Sequence, residues 1–190
     1  MSSAFNTHKT NPLASYPQAW ERASKVKLLV LDVDGVLTNG QVWIGSDGKE
    51  SLKAFDIQDG LGIKLLEQCG IPTAIITGRN SKMVLARCEE LGIKYVHMGV
   101  ENKAIALAQV VKSLGLSLSE CAVMGDDWPD LQMMKNAGFR ICPAQAHEAV
   151  KESAHFVSNH SGGNRAIREV CDLILKAQNR YEGLLNKARN

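Results

Sequence analysis

Asp32 and Asp34 stand two residues apart in Leu31-Asp32-Val33-Asp34-Gly35-Val36-Leu37-Thr38, directly after an apolar, strand-forming run over residues 27–31. Two like charges this close repel, and a cation is the usual remedy. A hard cation such as Mg²⁺ takes oxygen ligands, commonly a few carboxylates completed by substrate phosphate and water. Gly35 lets the backbone turn away at once and leaves both side chains at the mouth of a sheet. Further along, Thr77-Gly78-Arg79 offers a hydroxyl and a backbone amide, Lys103 an ammonium, and Gly125-Asp126-Asp127-Trp128-Pro129-Asp130 more carboxylates. Together these groups suit phosphoryl transfer, where one nucleophile does the covalent work and much charge has to be held. Residue type and position alone do not say which aspartate is the nucleophile.

Each piece also has an ordinary reading. D-x-D is common in turns, Thr-Gly ends strands, a lysine on a helix is usually solvated, and Asp126-Asp127 could cap a helix. Joint placement favours chemistry, because ligands of open α/β sheets bind outside the carboxyl ends of strands. Strand patterns cover 27–31, 73–76, 95–98, 121–124, 140–142 and 155–157, and every polar cluster falls at or soon after the end of one. Helix patterns alternate with them. Val84, Cys88 and Leu91 repeat at i, i+4, i+7 before Gly92, and Leu107, Val110, Val111 and Leu114 do so before Gly115. Pro129 suits a first helical turn, and Ala166, Val170, Leu173 and Ala177 mark a last helix. Trp128, Met133 and Met134 read as packing residues.

This alternation implies an α/β protein, a Rossmann-like three-layer α/β/α sandwich with a mostly parallel sheet. Between the first strand and a helix from about Leu61, residues 41–44 and 50–54 could pair around Gly45-Ser46-Asp47-Gly48 as a β-hairpin flap over the carboxylates, with no separate cap domain. The expected division is an arm with a short helix over 1–24, one domain over 25–178 and a tail over 179–190. Apolar content of 45%, charged content of 22% and a net charge of +2 fit a globular protein without a nucleic-acid or membrane partner. No apolar run spans a bilayer and no signal-peptide core is evident, so a cytoplasmic location is expected. The five cysteines, without any C-x-x-C, read as reduced core residues.

With these motifs in order, the chain resembles the haloacid dehalogenase superfamily of aspartate-nucleophile phosphatases. It is similar in particular to the branch acting on 3-deoxy-D-manno-octulosonate 8-phosphate. Leu52-Lys53-Ala54-Phe55-Asp56, Asp59-Gly60-Leu61-Gly62-Ile63, Ile75-Ile76-Thr77-Gly78-Arg79 and Arg168-Glu169-Val170-Cys171-Asp172-Leu173 carry that likeness, over about residues 25–178. The resemblance implies Asp32 as nucleophile and Asp34 as general acid and base. It implies Mg²⁺ on the Asp32 carboxylate, the Asp34 carbonyl and Asp126, with Asp127 and Asp130 orienting its waters or Lys103. Thr77 and Gly78 would hold phosphoryl oxygens, and Lys103 would offset charge on Asp32 and phosphate.

The resemblance further implies a homotetramer in which flap and neighbouring chains close each site. Phe55, Asp56, Ile57, Gln58, Asp59, Arg79 and Arg87 would then face the sugar acid, although Arg87 could be an ordinary exposed arginine. In Ser161-Gly162-Gly163-Asn164-Arg165 the family's glycine-rich tail departs after the paired glycines, which leaves the contact of Arg165 open. Rival readings are a phosphatase of nine-carbon sugar-acid 9-phosphates, a non-catalytic sugar-phosphate-binding subunit and a phospho-receiver switch. A receiver places its phosphorylated aspartate after a later strand, and here the D-x-D pair ends the first.

Overall fold

The computed structural model describes Tyr16 and residues 18–190, so most of the expected arm lies outside the described residues. A short helix, α1 (Ala19–Ser24), leads to β1 (Leu28–Leu31). With β4 (Thr73–Ile76), β5 (Tyr95–His97), β6 (Cys121–Met124), β7 (Phe139–Cys142) and β8 (Phe156–Val157), β1 forms a six-stranded sheet in the order β5-β4-β1-β6-β7-β8. All neighbours in it run parallel. All six lie where apolar runs predicted them, shifted by at most one residue at an end.

Strand residues alternate between two cores, as a pleat buried on both faces requires. Leu29, Leu31, Ile75 and Met124 face α2 (Ile57–Gln68), α3 (Lys82–Leu91) and α7 (Ala166–Ala177). Leu28, Val30, Ile76 and Val123 face α4 (Lys103–Ser113), α5 (Trp128–Met134) and α6 (Glu148–Ser153). Helices α2 and α3 thus cross on one face while the chain moves from β1 to β5, and α4 carries it back on the other face to β6. Connections leave β1 and β6 in opposite directions, and a crevice opens between their carboxyl ends. That crevice receives Asp32 and Asp126.

The flap is a small antiparallel hairpin, β2 (Trp43–Ile44) with β3 (Glu50–Leu52), tighter than the expected spans. Its turn is closed by Gly45 N–H on the Lys49 carbonyl at 2.8 Å and Gly48 N–H on the Gly45 carbonyl at 3.0 Å. Trp43 and Ile44 are 54% and 61% exposed, so the hairpin has no partner face within the described chain.

Three expectations need correction. Helix α2 starts at Ile57 instead of near Leu61, because the Asp56 carboxylate accepts the amides of Gln58 and Asp59 at 2.6 and 3.0 Å and caps it. The expected tail is mostly helix α8 (Tyr181–Arg189), which lays Tyr181 and Leu184 on the core. Met133 and Met134 are core residues, but Trp128 is 64% exposed. Its indole N–H donates to His147 Nδ1 at 3.1 Å and the ring stands edge-on to that imidazole. All five cysteines are free thiols, and four of them are buried.

Candidate active site

After β1 the chain makes one wide turn over Val33–Leu37, closed by Thr38 N–H donating to the Val33 carbonyl at 3.0 Å. Within it Asp34 is extended (φ −76°, ψ 113°) and Gly35 is left-handed (φ 90°). A Cβ on Gly35 would lie 2.0 Å from Asp126 Oδ2, so glycine both makes the turn and admits the carboxylate from β6. On the outer side, Gln145 Nε2 donates to the Gly35 carbonyl at 2.7 Å while its Oε1 accepts Gly162 N–H at 2.9 Å. The paired glycines therefore brace the turn of their own chain. Arg165 follows in the left-handed region (φ 72°) just before α7 and is exposed.

Asp32, Asp126 and Asp130 bring carboxylate oxygens within 4.8 Å of one another. Lys103, in the first turn of α4, enters this cluster from the side and donates to Asp32 Oδ1 and Asp130 Oδ1, each at 2.7 Å. Asp130 is saturated, since its Oδ2 takes the amides of Asp126 and Asp127 at 2.9 and 3.3 Å. Asp127 caps α5, accepting Trp128 N–H at 2.8 Å, so the ordinary capping reading holds for that residue. Among the described residues the Asp126 carboxylate accepts no hydrogen bond and is turned toward Asp32.

The electrostatics of the cluster call for a further positive charge. Desolvation, then repulsion from Asp130, lifts Asp32 to about 6 despite Lys103. Desolvation, then Asp32, Asp130 and Asp127, lifts Asp126 to about 7. One ammonium does not neutralise three converging carboxylates. A donor set made only of oxygens, with the unbonded Asp126 carboxylate in it, fits a hard divalent cation such as Mg²⁺.

Thr77, buried at the end of β4, holds the next loop through its N–H on the His97 carbonyl at 2.9 Å and its carbonyl on Val100 N–H at 3.1 Å. Gly78 and Arg79 are exposed beyond it. Arg79 points at the flap and the first turn: its Nε is 3.7 Å from Asp34 Oδ2 and its Nη2 is 3.4 Å from Glu50 Oε1. Lys53, immediately after β3, completes this group. Its Nζ bonds Asp34 Oδ1 and lies 2.8 Å from Glu50 Oε1, with the side chain only 1% exposed. Desolvation opposes the ammonium, but the bonds from Asp34 and Glu50 outweigh it and hold Lys53 above the ordinary lysine range.

The segment expected to face the sugar acid divides. Asp56 and Asp59 are committed to the fold: Asp56 caps α2, and Asp59 is wholly buried, accepting Arg168 N–H at 2.7 Å at the start of α7. Burial, the largest cause, pushes Asp59 up to about 6. In this structure Asp59 has no exposed atom and, in place of the expected substrate contact, serves as an anchor for the start of α7. Ile57 and Gln58 are exposed, and Phe55 is half-buried beneath the Arg87 guanidinium, 5.8 Å from its ring centre. Arg87 is no free surface arginine, because it donates to the Asp56 carbonyl at 3.1 Å and to Glu90 at 2.8 Å.

Sequence reasoning missed Lys53, Glu50 and Gln145. Lys53 stood within a stretch that carried the family likeness, but nothing local separates it from a surface lysine. Gln145 had no signal at all.

Similarity to known proteins agrees with this geometry. Residues 96–168 match the family model of haloacid dehalogenase-like hydrolases. The 3-deoxy-D-manno-octulosonate 8-phosphate phosphatase KdsC of Salmonella typhimurium is 40% identical over 166 residues, covering 87% of this chain and 88% of that protein. The crystal structure of the corresponding phosphatase from Moraxella catarrhalis, in complex with magnesium ion, phosphate ion and KDO, is 45% identical. It superposes with a TM-score of 0.86 over 90% of this chain and 97% of that one. The cobalt-bound phosphatase from Haemophilus influenzae superposes with a TM-score of 0.83 at 35% identity, over 86% and 99% of the two chains. With its aspartate cluster in the crevice between β1 and β6, the chain belongs to the 3-deoxy-D-manno-octulosonate 8-phosphate phosphatases of the haloacid dehalogenase-like hydrolases.

Proposed function

We propose that this protein is a Mg²⁺-dependent phosphatase that hydrolyses 3-deoxy-D-manno-octulosonate 8-phosphate to the free sugar acid and inorganic phosphate, a step of lipopolysaccharide biosynthesis. The observation that carries the reading is the meeting of Asp32, Lys103, Asp126 and Asp130 in one crevice, with Asp34 beside them under the flap. The Asp32 carboxylate, the Asp34 carbonyl and Asp126 would hold the cation, and Asp130 would keep Lys103 in place. Mg²⁺, when bound, lowers the charge on the phosphoryl oxygens and brings them to the nucleophile.

An Asp32 oxygen attacks phosphorus, and the phosphorus–oxygen bond to the sugar breaks. Its electron pair leaves on the sugar oxygen, which takes a proton from Asp34. Asp34 then takes a proton from water as that water attacks phosphorus, the bond to Asp32 breaks, and phosphate departs. Lys103 balances charge on Asp32 and on the phosphoryl group throughout. Thr77 and the Gly78 amide receive phosphoryl oxygens. Arg79, Arg87 and the exposed residues Ile57 and Gln58 are the groups available to the sugar acid.

The working form is a cytoplasmic homotetramer in which neighbouring chains complete the site. In support, Trp43, Ile44 and Leu52 on the flap and Ile57 at the start of α2 are between 49% and 83% exposed, an apolar margin around the opening that a second chain would cover. Among the described residues no helix is long and apolar enough to cross a membrane.

The test is phosphate release with Mg²⁺ from the eight-carbon acid phosphate, from a nine-carbon sugar-acid 9-phosphate and from hexose phosphates, each repeated with EDTA. The expected result is a metal-dependent preference for the first and no turnover by folded Asp32→Asn. Preference for the nine-carbon acid would keep the mechanism and replace the substrate. Wild-type rates from Asp32→Asn would end the nucleophile assignment.

A further inference from the structure

Lys53 is a buried cation that the phosphoryl-transfer steps do not use. It comes from the chain segment leaving the flap, its side chain is 1% exposed, and its ammonium is shared between Asp34 on the first turn and Glu50 on β3. Arg79 closes the same group from the loop after β4, 3.4 Å from Glu50 and 3.7 Å from Asp34. Asp34 itself is extended within the first turn, just before the left-handed Gly35, and its carboxylate meets Lys53 and Arg79, whereas Lys103 donates to Asp32 and Asp130. Without a partner from the flap, the one ion pair left to the Asp34 carboxylate among the described residues would be with Arg79, which is 48% exposed.

We propose that Lys53 is the positioning residue for Asp34: by tying the carboxylate to the flap, it holds the proton-transfer oxygen in line with the leaving oxygen and makes catalysis depend on the hairpin. The inference rests on the reading of Asp34 as acid and base. A proton donor set about 1 Å out of place loses on the order of 10²-fold in rate. The loss should appear only where the leaving group needs a proton. An alkyl alcohol does, and a nitrophenolate leaves without one.

The experiment compares kcat/KM, which reports events up to departure of the leaving group, for the sugar-acid phosphate, glycerol 3-phosphate and p-nitrophenyl phosphate. Lys53→Met and Lys53→Gln are both made, with Lys53→Arg as the conservative variant and Asp34→Asn as the comparator. Ratios between substrates within one preparation cancel any difference in folded fraction. The expected result is a loss of about 10²-fold on both alkyl phosphates and within about 3-fold on the aryl phosphate, with Asp34→Asn showing the same pattern more strongly and Lys53→Arg recovering much of the rate. Equal losses on all three substrates would make Lys53 structural and overturn the proposal. A loss confined to the sugar-acid phosphate would make it a substrate-binding residue and overturn it equally. In both cases a selective defect in Asp34→Asn would leave the acid–base reading standing. If Asp34→Asn also treated alkyl and aryl phosphates alike, that reading would fall and this one with it.

Discussion

Replacing Lys103 by methionine isolates the electrostatics of the crevice. Lys103 is 8% exposed by side chain and donates at 2.7 Å to Asp32 and Asp130, themselves 7% and 2% exposed. Removing one partner from a buried charge pair leaves the others uncompensated and costs about 3–5 kcal/mol. For a chain of this size that corresponds to roughly 6–20 °C in melting temperature. The deficit should depend on pH with a definite sign. Asp32 at about 6 and Asp126 at about 7 lie above the ordinary carboxylate range even with Lys103 present, by burial first and next by repulsion, from Asp130 on Asp32 and from Asp32 on Asp126. Groups with raised folded values favour the native state at low pH, and this contribution is lost as pH rises through those values. Without the ammonium they rise further, and protons stand in for it. Thermal unfolding of the EDTA-treated Lys103→Met protein should therefore show the full deficit near about pH 8 and less than half of it near about pH 5.5. Phosphatase activity should fall by about 10²–10³-fold, the usual consequence of removing one oxyanion-stabilising group. An unchanged melting temperature near pH 8, or a deficit that grows on acidification, would refute the account.

The same carboxylates must lose protons to take up metal, so Mg²⁺ affinity measured by calorimetry should weaken as pH falls below about 7, the value to which burial and the neighbouring aspartates lift Asp126. Equal affinity across that range would mean the cation is held elsewhere. Gly162→Ala would place a Cβ 1.8 Å from the Gly35 carbonyl oxygen, backbone against backbone, and should destabilise by about 1–3 kcal/mol in urea unfolding while reducing activity through the displaced turn. Gly183 inside α8 has nothing within 4 Å of such a carbon, and Gly183→Ala should instead gain up to about 1 kcal/mol from helix propensity. Similar effects from the two alanines would contradict the packing described around the first turn.

Much of the architecture was legible in the chain itself. Apolar runs of four residues broken by Asp, Thr or Gly mark strands and their ends, because a sheet covered on both faces tolerates little else. Asp32, Thr77 and Asp126 could be placed at one rim for that reason, and Lys103 at a helix start near it. Helix α2 begins a turn before its apolar pattern because Asp56 accepts the amides of Gln58 and Asp59, a cap that is local in sequence. Trp128 stands between Asp127 and Pro129 with no apolar periodicity around it, and in place of the expected packing its indole is exposed against His147.

What depends on chain segments meeting had no local signature. Lys53 reaches Asp34 from 19 residues away, Gln145 reaches Gly35 from 110 and Asp59 anchors Arg168 from 109. Whether a carboxylate is open to the crevice or anchors a helix, and whether a lysine is solvated or locked to Asp34, depends on burial and on what packs opposite. The sequence alone determined the fold class and the chemistry of the strand ends, because both follow from local patterns of polarity. Only the tertiary structure decided which charges pair, because pairing depends on distances between segments that the order of residues does not encode.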